Sequence, residues 1–184
     1  MRDFLIDTQT IRYWYDPVCP QYKAVVANIE SLQKQVESSE NKPLLIVSVI
    51  TLGEIEFGHR VNPSADPNVQ TEYLKFIGER FPAHLEVTEA AVAAYGELRS
   101  RLFNEHAPGE KRRPKMRPEQ LVDPATSREL QIQENDLWLC AQAVGHGMVF
   151  VTNDAMRPIW KASQGVYPPL LIQNWTIPNT ARIE

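Results

Sequence analysis

Several common chemistries are excluded by what this chain lacks. It has only 2 cysteines, Cys19 and Cys140, too distant in sequence to suggest a disulfide framework, and Cys140 falls in an apolar helical pattern that reads as core. Its 4 histidines, His59, His84, His106 and His146, show no HExxH-type spacing, so neither histidine nor cysteine supplies the ligand pattern of a zinc site. No repeat or low-complexity tract is evident. The net charge of -4 is mild and carries no global nucleic-acid signature, which leaves any such contact to a local basic patch. The N-terminus sets Arg2, Asp3 and Asp7 around only a few apolar residues, which is neither a signal peptide nor a membrane span. A cytoplasmic protein without membrane contact is the expectation.

What is present is ordinary for one sizeable globular domain: 184 residues, 43% hydrophobic and 23% charged. Phe4-Leu5-Ile6, Leu44 to Ile50 and Met148 to Val151 are short apolar runs of the kind that form strands buried on both faces. Between them, Tyr22, Val25, Val26, Ile29, Leu32 and Val36 recur at helical spacing. A helix should follow from about Gln70 to Arg80, then a short strand Leu85-Glu86-Val87, then a helix capped by Thr88 with a stripe of Ala91, Val92, Tyr95, Leu98 and Leu102. Alternating strands and helices predict an α/β fold, a mostly parallel central sheet with helices on both faces, in a single domain over 1–184.

Four carboxylates stand out by position. Asp7 directly follows the first apolar run, and Asp154 follows the last by three residues. Glu54 lies beyond the second run, expected in the first turn of a helix through Ile55 and Phe57. Asp136 precedes the run Leu137 to Val144, with Asn135 or Asp136 itself available to cap that helix. In an open α/β sheet, strand ends and helix starts meet at one edge, where ligands bind. Two carboxylates about 4 Å apart repel by about 4 kcal/mol at an effective dielectric near 20, so such a group calls for a cation or for protonation. With oxygen donors alone the cation should be hard, Mg2+ or Mn2+. Singly, an Asp at a helix start is more often a plain cap.

The ordered segments FLIDTQT, VSVITLGEIEFG, ENDLWLCAQA and VFVTND resemble the PIN-domain nucleases, especially the VapC-type toxin of VapBC toxin-antitoxin pairs, and the closing LLIQNW resembles that family's last strand. The resemblance runs from Phe4 to Asp154 and beyond. It puts Asp7, Glu54, Asp136 and Asp154 at the acidic metal-binding positions, with Thr152 and Asn153 at the polar positions beside the last acid. It implies endonucleolytic cleavage of RNA, a homodimer, and a small antitoxin that covers or enters the acidic site. Asp7, Asp136 and Asp154 are then direct or water-mediated metal ligands, while Glu54 is a further ligand or the base that orients the attacking water. Two departures are visible. Gln9 stands where many relatives carry Asn or Ser, and the connection from about 104 to 134 is longer than a minimal member requires.

That connection crowds Lys111, Arg112, Arg113, Lys115 and Arg117 together among Pro108, Pro114, Pro118 and Pro124, a basic loop in which regular structure is not expected. It either contacts substrate phosphates, touches a partner chain, or is a plain solvated loop. Tyr13, Trp14 and Tyr15 invite a base-stacking reading, but packing is the commoner role for such a cluster. Phe57, Trp138 and Trp175 read as core, and Glu56 should face away from Glu54. A haloacid-dehalogenase phosphatase would need a second Asp where Gln9 stands. A receiver domain would need paired acids at the first strand end. The remaining rivals are a catalytically silent PIN-like RNA-binding or assembly module and a housekeeping RNA-processing nuclease without antitoxin.

Overall fold

Three residues of unbroken burial set the centre of the sheet. In the computed structural model, which describes residues 2–36, 42–62, 66–107 and 116–182, Phe4, Leu5 and Ile6 form strand β1 (Phe4–Ile6) and are buried without alternation. β1 pairs in parallel with β2 (Leu45–Ser48) on one side and β4 (Val149–Val151) on the other. β2 pairs in parallel with β3 (His84–Leu85), and β5 (Leu171–Gln173) completes a five-stranded sheet of order β3-β2-β1-β4-β5. The mostly parallel sheet foreseen from the apolar runs is therefore the sheet found.

Cα packing divides the chain into two compact units: residues 1–86, 149–154 and 172–184 form the first, and 87–148 with 155–171 the second. The first carries the sheet with helices α1 (Thr8–Tyr15), α2 (Tyr22–Val36), α3 (Val49–Val61) and α4 (Pro67–Arg80). Along α2, Val25, Ile29, Leu32 and Val36 fill the core at the expected spacing. Asn28 shares that face, fully buried. Its side-chain amide donates to the carbonyls of Trp175 at 3.0 Å and Ile177 at 2.8 Å, and its oxygen accepts from the N–H groups of Thr180 and Ala181, each at 2.8 Å. One polar side chain thus fastens the last described segment, and Trp175 lies against Phe4 with ring centroids 5.4 Å apart.

Helix boundaries in this unit correct some expectations. α3 begins at Val49, because the buried Ser48 ends β2 and its hydroxyl accepts the Ile50 N–H at 3.0 Å. Glu54 consequently lies in the second turn of α3, not the first. α4 starts at Pro67, earlier than Gln70, with Asp66 accepting the Asn68 N–H at 2.8 Å and proline in the first helical position, where no amide is missed. β3 is His84–Leu85 instead of Leu85 to Val87. Phe57 is no core residue: it is 67% exposed.

The second unit is built on α5 (Glu89–His106), α6 (Glu134–His146) and α7 (Arg157–Ser163). Thr88 caps α5 as expected, accepting the Ala91 N–H at 3.3 Å. α5 and α6 approach closely at Gly145, where a Cβ would stand 2.7 Å from the Ala90 carbonyl oxygen. Gly147, at φ 64°, ends α6 in the left-handed conformation that glycine adopts without a steric penalty. Cys140 is buried in α6, and Trp138 stacks on Tyr95 at 3.8 Å. Burial and a hydrogen bond to Glu134 push the Tyr95 hydroxyl up to about 12. Arg99 joins Glu134 at 3.1 Å and donates to the Met116 carbonyl at 3.1 Å, fastening the far end of the basic connection.

The described part of that connection, residues 116–133, carries local structure that its prolines did not suggest. After a single 3₁₀ turn at Pro118–Gln120, Val122 and Glu129 form an antiparallel bridge, closed by an Asp123 carboxylate that accepts from Ala125 at 2.8 Å and Thr126 at 2.9 Å. Leu121 and Ile132 bury the base of this small hairpin.

Candidate active site

The parallel pairing of β1 with β2 and β4 puts the carboxyl ends of three strands at one edge. Asp7 is the first residue after β1. It holds the N-cap position of α1, yet its side chain makes no capping bond to that helix. Instead its Oδ2 accepts from the Thr152 hydroxyl at 3.0 Å. The same Thr152 oxygen accepts the backbone N–H of Asp154 at 3.1 Å, so one buried hydroxyl ties the first acid to the last. The Asp7 N–H in turn donates to the Val151 carbonyl at 3.0 Å, locking the two strand ends in register. Asp154 and Asn153 are exposed.

Glu54 enters from α3, half-buried, and its Oε2 accepts a short hydrogen bond from the hydroxyl of Thr8, the residue after Asp7. Asp7, Glu54 and Asp154 are thus set around two threonine hydroxyls in the first unit. The donors are all oxygen, the chemistry a hard divalent cation takes. Among the described residues, no three His, Cys, Asp or Glu side chains converge closely enough to form a metal cluster as they stand. Two carboxylate oxygens are instead engaged by neutral hydroxyls.

Asp136 belongs to the second unit. It is at the third position of α6, half-buried, and its Oδ2 accepts the Gln133 N–H at 3.1 Å. Gln133 is the N-cap residue, so neither Asn135 nor Asp136 fills that place. The acid bonds back to the cap residue's own amide, as a carboxylate in the first turn often does.

Of the basic cluster, Lys111, Arg112, Arg113 and Lys115 lie outside the described residues. Arg117 is exposed, with its N–H donating to Gln120 Oε1 at 2.8 Å. Gln9, at the departure noted above, accepts from the Tyr13 hydroxyl at 3.1 Å. The aromatic trio occupies the last turn of α1 and divides its tasks. Trp14 packs edge-on against Phe76 and Phe81 at 5.4 and 5.8 Å, as the packing reading expects. The Tyr13 hydroxyl accepts from Asn153 at 3.4 Å. Tyr15 contacts Tyr73 with ring centroids 4.7 Å apart. Glu56 turns to Arg60 at 3.3 Å, away from the site.

Sequence reasoning missed Thr8, Arg12 and Tyr73. They border a cavity of about 690 Å³ in the first unit that Glu54, His59 and Tyr15 also line. The available signal was spacing: Thr8 and Arg12 are one helical turn apart on α1, immediately beyond Asp7.

No family model matches the chain, and no curated protein matches it in sequence. Solved structures do. The chain has an α/β fold of the PIN type, matched over nearly its whole length by the crystal structure of VapBC2 from Rickettsia felis bound to a DNA fragment from their promoter: TM-score 0.62, 19% identity, 94% of this chain and 98% of that one. VapBC-1 from nontypeable Haemophilus influenzae gives TM-score 0.59 at 19% identity, with coverages of 94% and 98%. DNA-bound VapBC from Salmonella typhimurium gives 0.58 at 18%, with 95% and 99%. The fold is VapC-like, as the motif order implied. Among the described residues, no helix is long and apolar enough to cross a membrane.

Proposed function

We propose that this protein is a divalent-metal-dependent endoribonuclease, the toxin of a VapBC-type pair, hydrolysing RNA phosphodiesters with water as the nucleophile. The observation that carries the reading is the misdirected cap. Asp7 occupies a helix N-cap position but gives its carboxylate to Thr152, which also holds Asp154, while Thr8 holds Glu54. Plain capping acids would bond their own helix amides.

In this reading Asp7, Glu54 and Asp154 hold Mg2+ or Mn2+, and Asp136 takes the fourth place on sequence grounds alone. When bound, the ion supplies a lowered pKa for water and offsets charge on the phosphoryl group. The chain's own residues do the positioning. Thr152 fixes the Asp7 carboxylate and the backbone entering Asp154. Thr8 fixes Glu54, which serves as a further ligand or as the base orienting the attacking water. No covalent side-chain nucleophile is needed.

A small antitoxin as inhibitor and a homodimer as the working form belong to the same proposal. The fold shared with VapBC structures supports a partner of that kind. The test is cleavage of structured and unstructured RNA with Mg2+, with Mn2+ or with chelator, by the native protein and by Asp7→Asn and Asp154→Asn. Metal-dependent cutting lost in both variants supports the nuclease. Binding of RNA without cutting would favour a silent PIN-like module. A short open reading frame overlapping this one upstream, whose product co-purifies, would separate a toxin from a housekeeping nuclease.

A further inference from the structure

The cavity beside Glu54 is lined by two carboxylates, Glu54 and Asp16, but by other chemistry as well. About 690 Å³ falls within the range of small-molecule sites, roughly 300 to 1,000 Å³. Its lining combines one cation, Arg12, with the rings of Tyr15, Tyr73 and His59. Arg12 is exposed, and no carboxylate pairs with it among the described residues. Asp16, which also lines the cavity, is occupied by the Val18 N–H at 3.0 Å.

The rings of Tyr15, Tyr73 and His59 follow one another along one wall, with neighbouring planes tilted by 56° and 61°. Tyr15 meets Tyr73 at 4.7 Å, and His59 meets Tyr73 at 6.1 Å. Tyr73 is only 9% exposed. Burial raises its pKa, so it remains a neutral donor at any physiological pH.

An exposed guanidinium with no paired carboxylate among the described residues, beside aromatic rings, suits a phosphate joined to a planar ring system. We infer that this cavity is a nucleotide subsite: Arg12 takes a phosphate, and the wall of Tyr15, His59 and Tyr73 takes the base of one ribonucleotide flanking the bond that is cut. Only the place of that nucleotide beside the cut bond rests on the nuclease reading. Binding of a nucleotide here does not depend on catalysis. Base stacking on aromatic side chains is tolerant of sequence, so the subsite anchors the strand more than it reads it.

The test measures binding of 5′-AMP, 5′-UMP and inorganic phosphate to the full chain in chelator, by calorimetry or by NMR shifts of the α1 and α3 amides. Arg12→Ala should weaken both nucleotides and phosphate at least fivefold. Tyr15→Ala should weaken the nucleotides about tenfold while leaving phosphate alone. Because Tyr15 also packs on Tyr73 and Phe76, Gly58→Leu serves as a second variant: Gly58 lines the cavity, a Cβ there meets nothing within 4 Å, and the added side chain should block nucleotides in a folded protein. Affinities within twofold of the native protein in Arg12→Ala and Gly58→Leu would overturn the subsite. So would a Gly58→Leu protein that binds nucleotides normally but loses a protein partner, which would make the cavity a seat for that partner. The two readings fail separately. Nucleotide binding with these variant effects but without metal-dependent cleavage sinks the nuclease and keeps the subsite. Cleavage indifferent to Arg12 and Gly58 does the reverse.

Discussion

Thr152 is the residue on which the candidate site turns. Its buried hydroxyl donates to Asp7 and accepts from the Asp154 amide, two jobs that an isosteric methyl cannot do. Thr152→Val should leave the fold intact, since shape is kept, but lower metal-dependent cleavage about 10- to 100-fold, the usual cost of losing a residue that orients a ligand. Thr152→Ser should restore most of it. If the valine variant cuts like the native protein, the hydroxyl bridge has no part in the chemistry. Asp123 offers a contrast far from any chemistry. Hydrogen bonds from the Thr126 and Ala125 amides hold its carboxyl below the ordinary value. A depressed folded pKa means stabilisation that is present above the unfolded value near 3.9 and lost as pH falls through the folded one. Asp123→Ala should therefore be less stable than the native protein at pH 6, with the gap closing as pH drops below about 4, as thermal melts across that range would show. A gap that persists at pH 2 would put its origin elsewhere.

At the scale of elements, two glycines in helices separate propensity from packing. Gly58 in α3 has open space around a new Cβ, so Gly58→Ala should stabilise by roughly 0.5 to 1 kcal/mol through helix propensity alone. Gly145 in α6 has the Ala90 backbone where its Cβ would go, so Gly145→Ala should destabilise by about 1 to 3 kcal/mol as the helices are forced apart. Denaturant titration reads both signs, and equal signs would refute the packing argument. The same scale shows what was legible beforehand. FLI and VFV announced β1 and β4 because a strand buried on both faces needs no alternation. The start of α3 was not legible: LIVSVI is a β-branched run, and only the buried Ser48, capping Ile50, turns its second half into helix. Phe57 looked like core because its position followed the helix through Ile55, but α3 presents it to solvent. Asn28 gave no signal, since its partners are backbone groups almost 150 residues away that only the fold brings near.

At the scale of the whole molecule, the chain positions of the acids were legible and the groups around them were not. Asp7 and Asp154 could be placed after their strands from apolar runs alone, and Glu54 on its helix, though one turn too early. The two threonines between them, and the cavity behind Glu54, depend on side-chain directions that no periodicity encodes. A chain about 19% identical to known VapBC structures keeps their fold over nearly its full length, which fits a core specified by pattern more than by particular residues. The proposed activity, by contrast, depends on a handful of oxygen atoms. The decisive experiment is cleavage of a defined single-stranded RNA by the native protein, Asp7→Asn and Asp136→Asn, each with Mg2+ and with chelator. The expected result is cutting by the native protein with Mg2+ only and at least a hundredfold loss in both variants. Equal cutting by all three proteins, or none by a folded native protein across single-stranded and structured RNAs with Mg2+ or Mn2+, would contradict it.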